Sequence, residues 1–169
     1  HHENVVAIFD AIEEDGGRNY YLVMEYADEG SLADLLQREG RLPVCRVLEM
    51  GLAVAQALEV VHEEGILHGD IKPSNILLVS DGDGITAKLA DFGLSRAMAG
   101  AETDQAVYSG SILYCAPEQL LGEAVEHRAD LYALGAVIYE MLTGQPPFPC
   151  SGKPEDVVEV ARRQIQEQP

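Results

Sequence analysis

The sequence has no tryptophan and only three cysteines, Cys45, Cys115 and Cys150. These lie far apart and form no C-x-x-C pair, which speaks against a disulfide framework or a cysteine-built zinc site and fits a reducing compartment. Cations are also scarce, with 11 Lys and Arg against 29 Asp and Glu and a formal net charge of −18. A nucleic-acid surface needs clustered positive charge, so direct binding to nucleic acid is not expected. The acidity reads as a solvated surface rather than as a site for one basic partner. There is no apolar run of 18 residues, so no segment reads as membrane-spanning. No signal-peptide pattern and no initiator Met are present, and His1 falls inside a patterned segment. The chain is therefore expected to be a fragment of a longer polypeptide.

What is present is an ordinary globular composition, 47% hydrophobic and 24% charged over 169 residues. That length makes one domain or a large part of one and can bury a core. Residues 4–14 and 19–27 are apolar and β-branched or aromatic, and EDGGRN separates them, so a β-hairpin is expected. Ser31 and Asp34 form a capping box for a short helix that Gly40 closes. Pro43 opens a longer helix ended by Gly65. Its recurring Val44, Val47, Leu48, Leu52, Ala55, Leu58 and Val61 are expected to be the buried face. Residues 76–80 and 85–90 flank a DGDG turn and read as a second hairpin. Residues 91–118 look irregular, and so long a connection usually carries function. The helix expected at 127–144 is apolar on nearly every side and is expected to be buried all round, and a polar helix is expected over 156–168. A strand pair followed by helices with one inserted hairpin gives an α+β fold.

The chemistry concentrates in LHGDIKPSNILL, residues 67–78. Asp70 is a carboxylate in a tight loop that can accept a proton from a nucleophile. Lys72 is a cation two residues on, suited to neutralising a transferring phosphoryl group. Asn75 offers a hard amide oxygen that suits Mg²⁺. Asp91 offers a second hard ligand, followed by Phe92 and Gly93. A base, a cation and two oxygen ligands are what in-line phosphoryl transfer requires.

H-x-D-x-K-x-x-N, then D-F-G, then Ala116-Pro117-Glu118, in that order, resembles the motif set of eukaryotic-type protein kinases. Each motif alone is weak, but three in order on a matching element pattern are specific, and the resemblance covers nearly the whole chain. Lys72 makes the Ser/Thr branch the better match. The resemblance implies a protein-kinase-like α+β fold. It comprises the end of the small β lobe with the hinge (residues 1–27) and most of the helical large lobe (28–169), truncated at its C-terminal end. It implies transfer of the γ-phosphate of ATP to Ser or Thr hydroxyls of protein substrates, with Mg²⁺, in the cytoplasm or in a cytoplasmic domain of a membrane-anchored kinase. Residue by residue, it makes Asp70 the catalytic base and Lys72 the γ-phosphate contact. Asn75 and Asp91 become the metal ligands, and Ser111 the bridge between Asp70 and Lys72. Met24 corresponds to the gatekeeper, Glu25 and Ala27 to the hinge groups that bond adenine, and Leu77 to the floor beneath the base. Asp130 is expected to hold the catalytic loop's backbone, and His68, Phe92 and Ile8 to stack in a regulatory spine.

Three departures stand beside this. The Gly-rich loop, the strand lysine and its partner glutamate are not in the sequence, nor is the arginine that usually pairs with Glu118, so the chain by itself is expected to be inactive. Gly69 stands where most regulated kinases carry Arg, although Thr103, Tyr108 and Ser109 are candidate phosphosites and Arg96 is the one basic residue between Asp91 and Glu118. HGD also occurs in aminoglycoside- and choline-type phosphotransferases, which share this fold but usually lack a Lys at that position, DFG and APE. A pseudokinase or regulatory binding module is the other alternative, opposed by intact Asp70, Lys72, Asn75 and Asp91.

Simpler readings cover the rest. DGDG resembles the start of a calcium loop, but position 12 falls on Phe92, so a hairpin turn is expected. His1, His2 and His62 show no metal spacing and read as surface or packing residues. Cys115 reads as a small hydrophobe.

Overall fold

The computed structural model describes residues 1–14, 19–82, 84–92, 111–150 and 154–167. Strands β1 (Ile8–Glu14) and β2 (Asn19–Met24) pair antiparallel, with Ile8 opposite Met24 and Glu14 opposite Asn19. Helix α1 (Leu32–Glu39) follows, then α2 (Val44–Glu63), a 3₁₀ turn (Pro73–Asn75), and strands β3 (Ile76–Ser80) and β4 (Ile85–Leu89). A second 3₁₀ turn (Ser111–Leu113), a short helix α3 (Pro117–Leu121), α4 (Arg128–Thr143) and α5 (Pro154–Gln166) complete the order. The architecture is α+β, as expected.

Local signals act as anticipated at several points. The Ser31 hydroxyl accepts from the Asp34 N–H at 3.2 Å, while Asp34 Oδ2 accepts from the Ser31 N–H at 2.9 Å, completing the capping box. β3 and β4 form the second hairpin with Ile76 opposite Leu89, closed where Asp81 N–H donates to the Gly84 carbonyl at 2.9 Å. The expected turn is therefore a turn, although Asp83 lies outside the described residues.

Other expectations need correction. Residues 4–7 are not part of the first hairpin. Val5 forms a parallel bridge to Leu89, with Leu89 N–H donating to the Asn4 carbonyl at 2.8 Å and Val6 N–H to the Leu89 carbonyl at 3.0 Å. The segment that leads into β1 is thus stitched to β4 in the helical body. Pro43 is the N-cap of α2 rather than a residue of its first turn. The buried face of α2 is Val47, Met50, Gly51, Val54, Ala57, Leu58 and Val61, whereas Val44, Leu48 and Leu52 are exposed. The expected and observed faces share Val47, Leu58 and Val61, and periodicity alone does not fix how the helix is rotated about them. The close approach is made by Gly51, where an added Cβ would lie 3.3 Å from Ile138 Cδ1.

α4 is likewise not buried all round. Ala129, Asp130, Ala133, Leu134, Ala136, Val137 and Met141 are buried, while Leu131, Tyr139 and Leu142 are exposed. Apolar residues on every side of a helix describe what it can bury, and here its packed face meets α2 and the loop before β3. The core runs from α1 (Leu32, Leu35) through α2 and α4 to β3 and β4 (Ile76, Leu78, Leu89), with Ile71 and Tyr114. The first hairpin stands outside it, with every residue of β1 exposed.

Candidate functional site

The loop between α2 and β3 is held from below by one carboxylate. Asp130, on the first turn of α4 and 1% exposed, accepts from the His68 N–H at 3.0 Å through Oδ2 and from the Gly69 N–H at 2.8 Å through Oδ1. Its Oδ2 also meets His62 Nε2 at 2.7 Å. A buried carboxylate must be hydrogen-bonded to offset desolvation, and three donors here do so. Asp130 therefore does what was expected of it. His62, expected to be a surface or packing side chain, is instead one of its partners. Its position near the end of α2 is visible in the sequence, but nothing local points to Asp130.

Gly69 has φ +75°, a left-handed conformation that costs glycine nothing. It turns the chain so that Asp70 follows a fully buried His68. The His68 ring spans the loop, with Nε2 2.9 Å from the Ala90 carbonyl and Nδ1 accepting from the Asp70 N–H at 3.2 Å. Burial pushes its pKa below the ordinary value, against the pull of the Ala90 carbonyl and of Asp130. The neutral ring with its proton on Nε2 fits both contacts. Its face lies 4.9 Å from Phe92, centroid to centroid, so the expected pairing of His68 with Phe92 is present. Ile8 reaches the same region, lining with Val6, Met24, Asp91 and Phe92 a small cavity of ≈ 70 Å³.

Around Asp70 the polar groups converge. Lys72 Nζ lies 2.8 Å from Asp70 Oδ2 and donates to Ser111 Oγ at 2.8 Å. Asn75, 6% exposed, donates through Nδ2 to the Asp70 carbonyl at 2.8 Å and to Asp70 Oδ2 at 3.2 Å. The structure thus brings Asp70, Lys72, Asn75 and Ser111 together. Asp91 follows β4 with an exposed side chain and φ 61°, the one positive φ at a non-glycine among the described residues. Such strain persists only where the surrounding structure imposes it, and it clusters at functional sites.

Asn75 has its amide nitrogen committed to Asp70, which leaves the oxygen as its remaining hard donor, and Asp91 supplies a carboxylate. Among the described residues, no group of three or more His, Cys, Asp or Glu is arranged to hold a metal. One carboxylate and one amide oxygen suit Mg²⁺, which keeps waters and shares its shell with substrate phosphates.

The segment expected to be the hinge follows β2. Glu25 N–H donates to the Ala7 carbonyl at 2.8 Å, and the Ala27 carbonyl accepts from Gly30 N–H at 3.4 Å. Leu77, half-buried, sits on β3 opposite Lys88 and bridges to Ser31.

On the other side of Lys72 a cleft of ≈ 410 Å³ opens, walled by Leu36, Leu113, Tyr114 and Glu140. Tyr114 donates to Glu140 Oε2 at 2.5 Å, and burial raises the Glu140 carboxyl above its usual range. α3 ties this side to the loop. Gln119 Oε1 accepts from Ala116 N–H at 2.8 Å, and Gln119 Nε2 donates to the Gly69 carbonyl at 3.2 Å. Gln119 was not singled out in the sequence. It directly follows the A-P-E motif, which is the signal that could have found it. Burial pushes the Cys115 thiol up to about 11, so it stays a neutral thiol, in keeping with a packing role. Gly93, Arg96, Thr103, Tyr108 and Ser109 lie outside the described residues.

Comparison with known proteins gives a consistent picture. Residues 1–168 match the family model described as the protein kinase domain. The chain is 37% identical over 172 residues to the serine/threonine-protein kinase PknB of Mycobacterium leprae and 38% identical over 173 residues to PknB of Mycobacterium tuberculosis. It is 40% identical over 173 residues to a protein of Streptomyces coelicolor named a probable serine/threonine-protein kinase. Each alignment takes in 99% of this chain but only 25–26% of the relative. The chain thus spans about a quarter of the length of the curated relatives it matches.

Proposed function

The chain belongs to the protein kinase family, and we propose that it forms the hinge and helical part of a catalytic domain that phosphorylates Ser and Thr hydroxyls of proteins. On this reading residues 1–27 are the end of the small lobe with the hinge, and 28–169 belong to the large lobe. The observation that carries the reading is Lys72, held 2.8 Å from both Asp70 Oδ2 and Ser111 Oγ. A carboxylate, a cation and a hydroxyl are fixed there in one cluster before any substrate arrives.

ATP supplies the phosphoryl group, and a bound Mg²⁺ would offset charge on its phosphates. The chain's own residues do the rest. Asp70 orients the acceptor hydroxyl and takes its proton. The acceptor oxygen bonds to the γ-phosphorus, while the bond to the β–γ bridging oxygen breaks and its electron pair leaves with ADP. Lys72 offsets charge on the transferring group, and Ser111 holds Lys72 in place. Asn75 and Asp91 would hold the Mg²⁺. Met24 lines the back of the nucleotide site, the Glu25 carbonyl and Ala27 N–H bond adenine, and Leu77 forms the floor. The cleft beside Lys72 and the Ala116–Glu118 turn form the side that receives the protein substrate.

Cys45 and Cys115 are free thiols, which supports a cytoplasmic setting, where ATP is abundant. Among the described residues no helix is long and apolar enough to cross a membrane.

The test uses the full-length polypeptide that carries this chain. Asp70→Asn should keep Mg-ATP binding and lose about 10²- to 10⁴-fold in transfer. Phosphate should appear on Ser or Thr of protein substrates by mass spectrometry. Near-normal turnover of the variant would remove Asp70 from its role. Labelled aminoglycoside or choline without phosphoprotein would replace the reading with small-molecule transfer.

A further inference from the structure

Lys88 has no part in the roles above. It lies on β4, three residues before Asp91, and its Nζ sits 2.6 Å from Glu25 Oε1. The other oxygen of that carboxylate, Oε2, accepts from the Ala7 N–H at 3.3 Å. The Glu25 backbone N–H is taken as well, by the Ala7 carbonyl at 2.8 Å. One hinge residue thus has its amide and both carboxylate oxygens fixed, and its side chain reaches across to the strand that leads to Asp91.

The pair is not an ordinary surface ion pair. Its side chains are only 16% and 24% exposed, whereas pairs that contribute little are solvated and screened. The Lys88 hydrogen bond is the largest influence on Glu25 and holds its carboxyl below the usual range. Lys88 is also the cross-strand partner of Leu77. Directly opposed residues of an antiparallel pair project from the same face, so Lys88 shares the face of β3 and β4 that carries the proposed adenine floor. The ammonium joins Glu25 to the strand that leads to Asp91, and Leu77 lies opposite Lys88 on the paired strand.

We propose that Glu25 and Lys88 are paired positioning residues that fix the hinge carbonyl relative to β4, so that the adenine contact and Asp91 are set at one spacing for a single nucleotide. The inference rests on the kinase reading. Neither side chain touches the reacting atoms. Their effect is on nucleotide affinity and not on the chemical step.

The test measures ADP binding by calorimetry and steady-state kinetics on the full-length polypeptide, for wild type, Lys88→Met, Lys88→Arg, Glu25→Gln and the Glu25→Gln/Lys88→Met double variant. Lys88→Met and Glu25→Gln should each raise KM for ATP and weaken ADP binding about fivefold or more. For Lys88→Met, kcat and KM for the protein substrate should hold. Lys88→Arg should restore most of the affinity, and the double variant should be no worse than either single one, because a broken pair cannot be broken twice. Lower thermal stability with nucleotide affinity unchanged, or fully additive losses, would overturn the proposal. A wild type that binds ADP but phosphorylates no protein would sink the kinase reading alone, and the ADP affinities of the variants would still decide the pair.

Discussion

His62 and Asp130 lie 68 positions apart in sequence and meet at 2.7 Å. That contact is the third support of a buried carboxylate that also holds the N–H groups of His68 and Gly69. Asp130→Ala should destabilise the chain by about 3–5 kcal/mol, since it strands the buried His68 N–H and two half-buried donors. His62→Ala should cost about 1–3 kcal/mol, because the two backbone bonds remain. Urea midpoints test the ranking, and a His62→Ala loss as large as that of Asp130→Ala would reverse it.

Gly69 is held at φ +75° with nothing within 4 Å of an added Cβ. Gly69→Ala therefore meets open space, and its cost is the backbone alone, about 1–2 kcal/mol. A neutral result in chemical denaturation would mean that the loop relaxes out of the left-handed conformation.

His68 gives the stability a pH dependence. Its folded pKa lies below the ordinary 6.5 because the ring is buried. The unfolded chain takes up a proton there that the folded ring resists. The contribution is therefore full above about pH 6.5 and is lost as the pH falls through that value toward the folded pKa, by at most about 1.4 kcal/mol per unit. Denaturation at pH 7.5 and pH 5.5 should show a smaller fall for His68→Phe than for wild type. Equal falls would show that the ring protonates in place.

Asp91 combines an exposed carboxylate with φ 61°. Asp91→Gly should leave stability unchanged or raise it by up to about 1 kcal/mol, while Mg-ADP affinity drops. Asp91→Ala should lose affinity as well and gain no stability. Calorimetric Mg-ADP titrations that match wild type would rule Asp91 out as a metal ligand.

The first hairpin should exchange its amide protons fast in the 169-residue chain. Every residue of β1 is exposed, while Val137 and Met141 of α4 are 0% and 1% exposed. An isolated two-stranded hairpin is marginal in water. Hydrogen exchange should show weak protection over 8–14 and 19–24 and strong protection over 129–141, and the opposite order would mean that the hairpin draws stability from contacts outside the core.

Much of the candidate site is legible in the sequence alone. Asp70, Lys72 and Asn75 lie within six positions, so their meeting is almost a property of one loop. The Ser31–Asp34 cap and the turn between β3 and β4 are equally local, settled by hydrogen bonds a few residues long. The motif order carries Asp91 and Ser111 into the same reading.

What failed was whatever depended on a partner far along the chain. The period of α2 placed Val44, Leu48 and Leu52 on the buried face, whereas packing rotated that face onto Met50, Gly51, Val54 and Ala57, with Gly51 close against Ile138. Val5 looked like hairpin, but the free backbone groups of Leu89 claimed its neighbours. His62, Gln119 and Lys88 carry no local mark, because a hydrogen bond is directional and short, and its partner is brought within 3.2 Å only when separate elements pack. The sequence by itself determined which polar groups the candidate site can draw on and in what order they come. The tertiary structure decided which carboxylate holds the loop and which lysine ties Glu25 to β4, since both depend on where α4 and β4 come to rest.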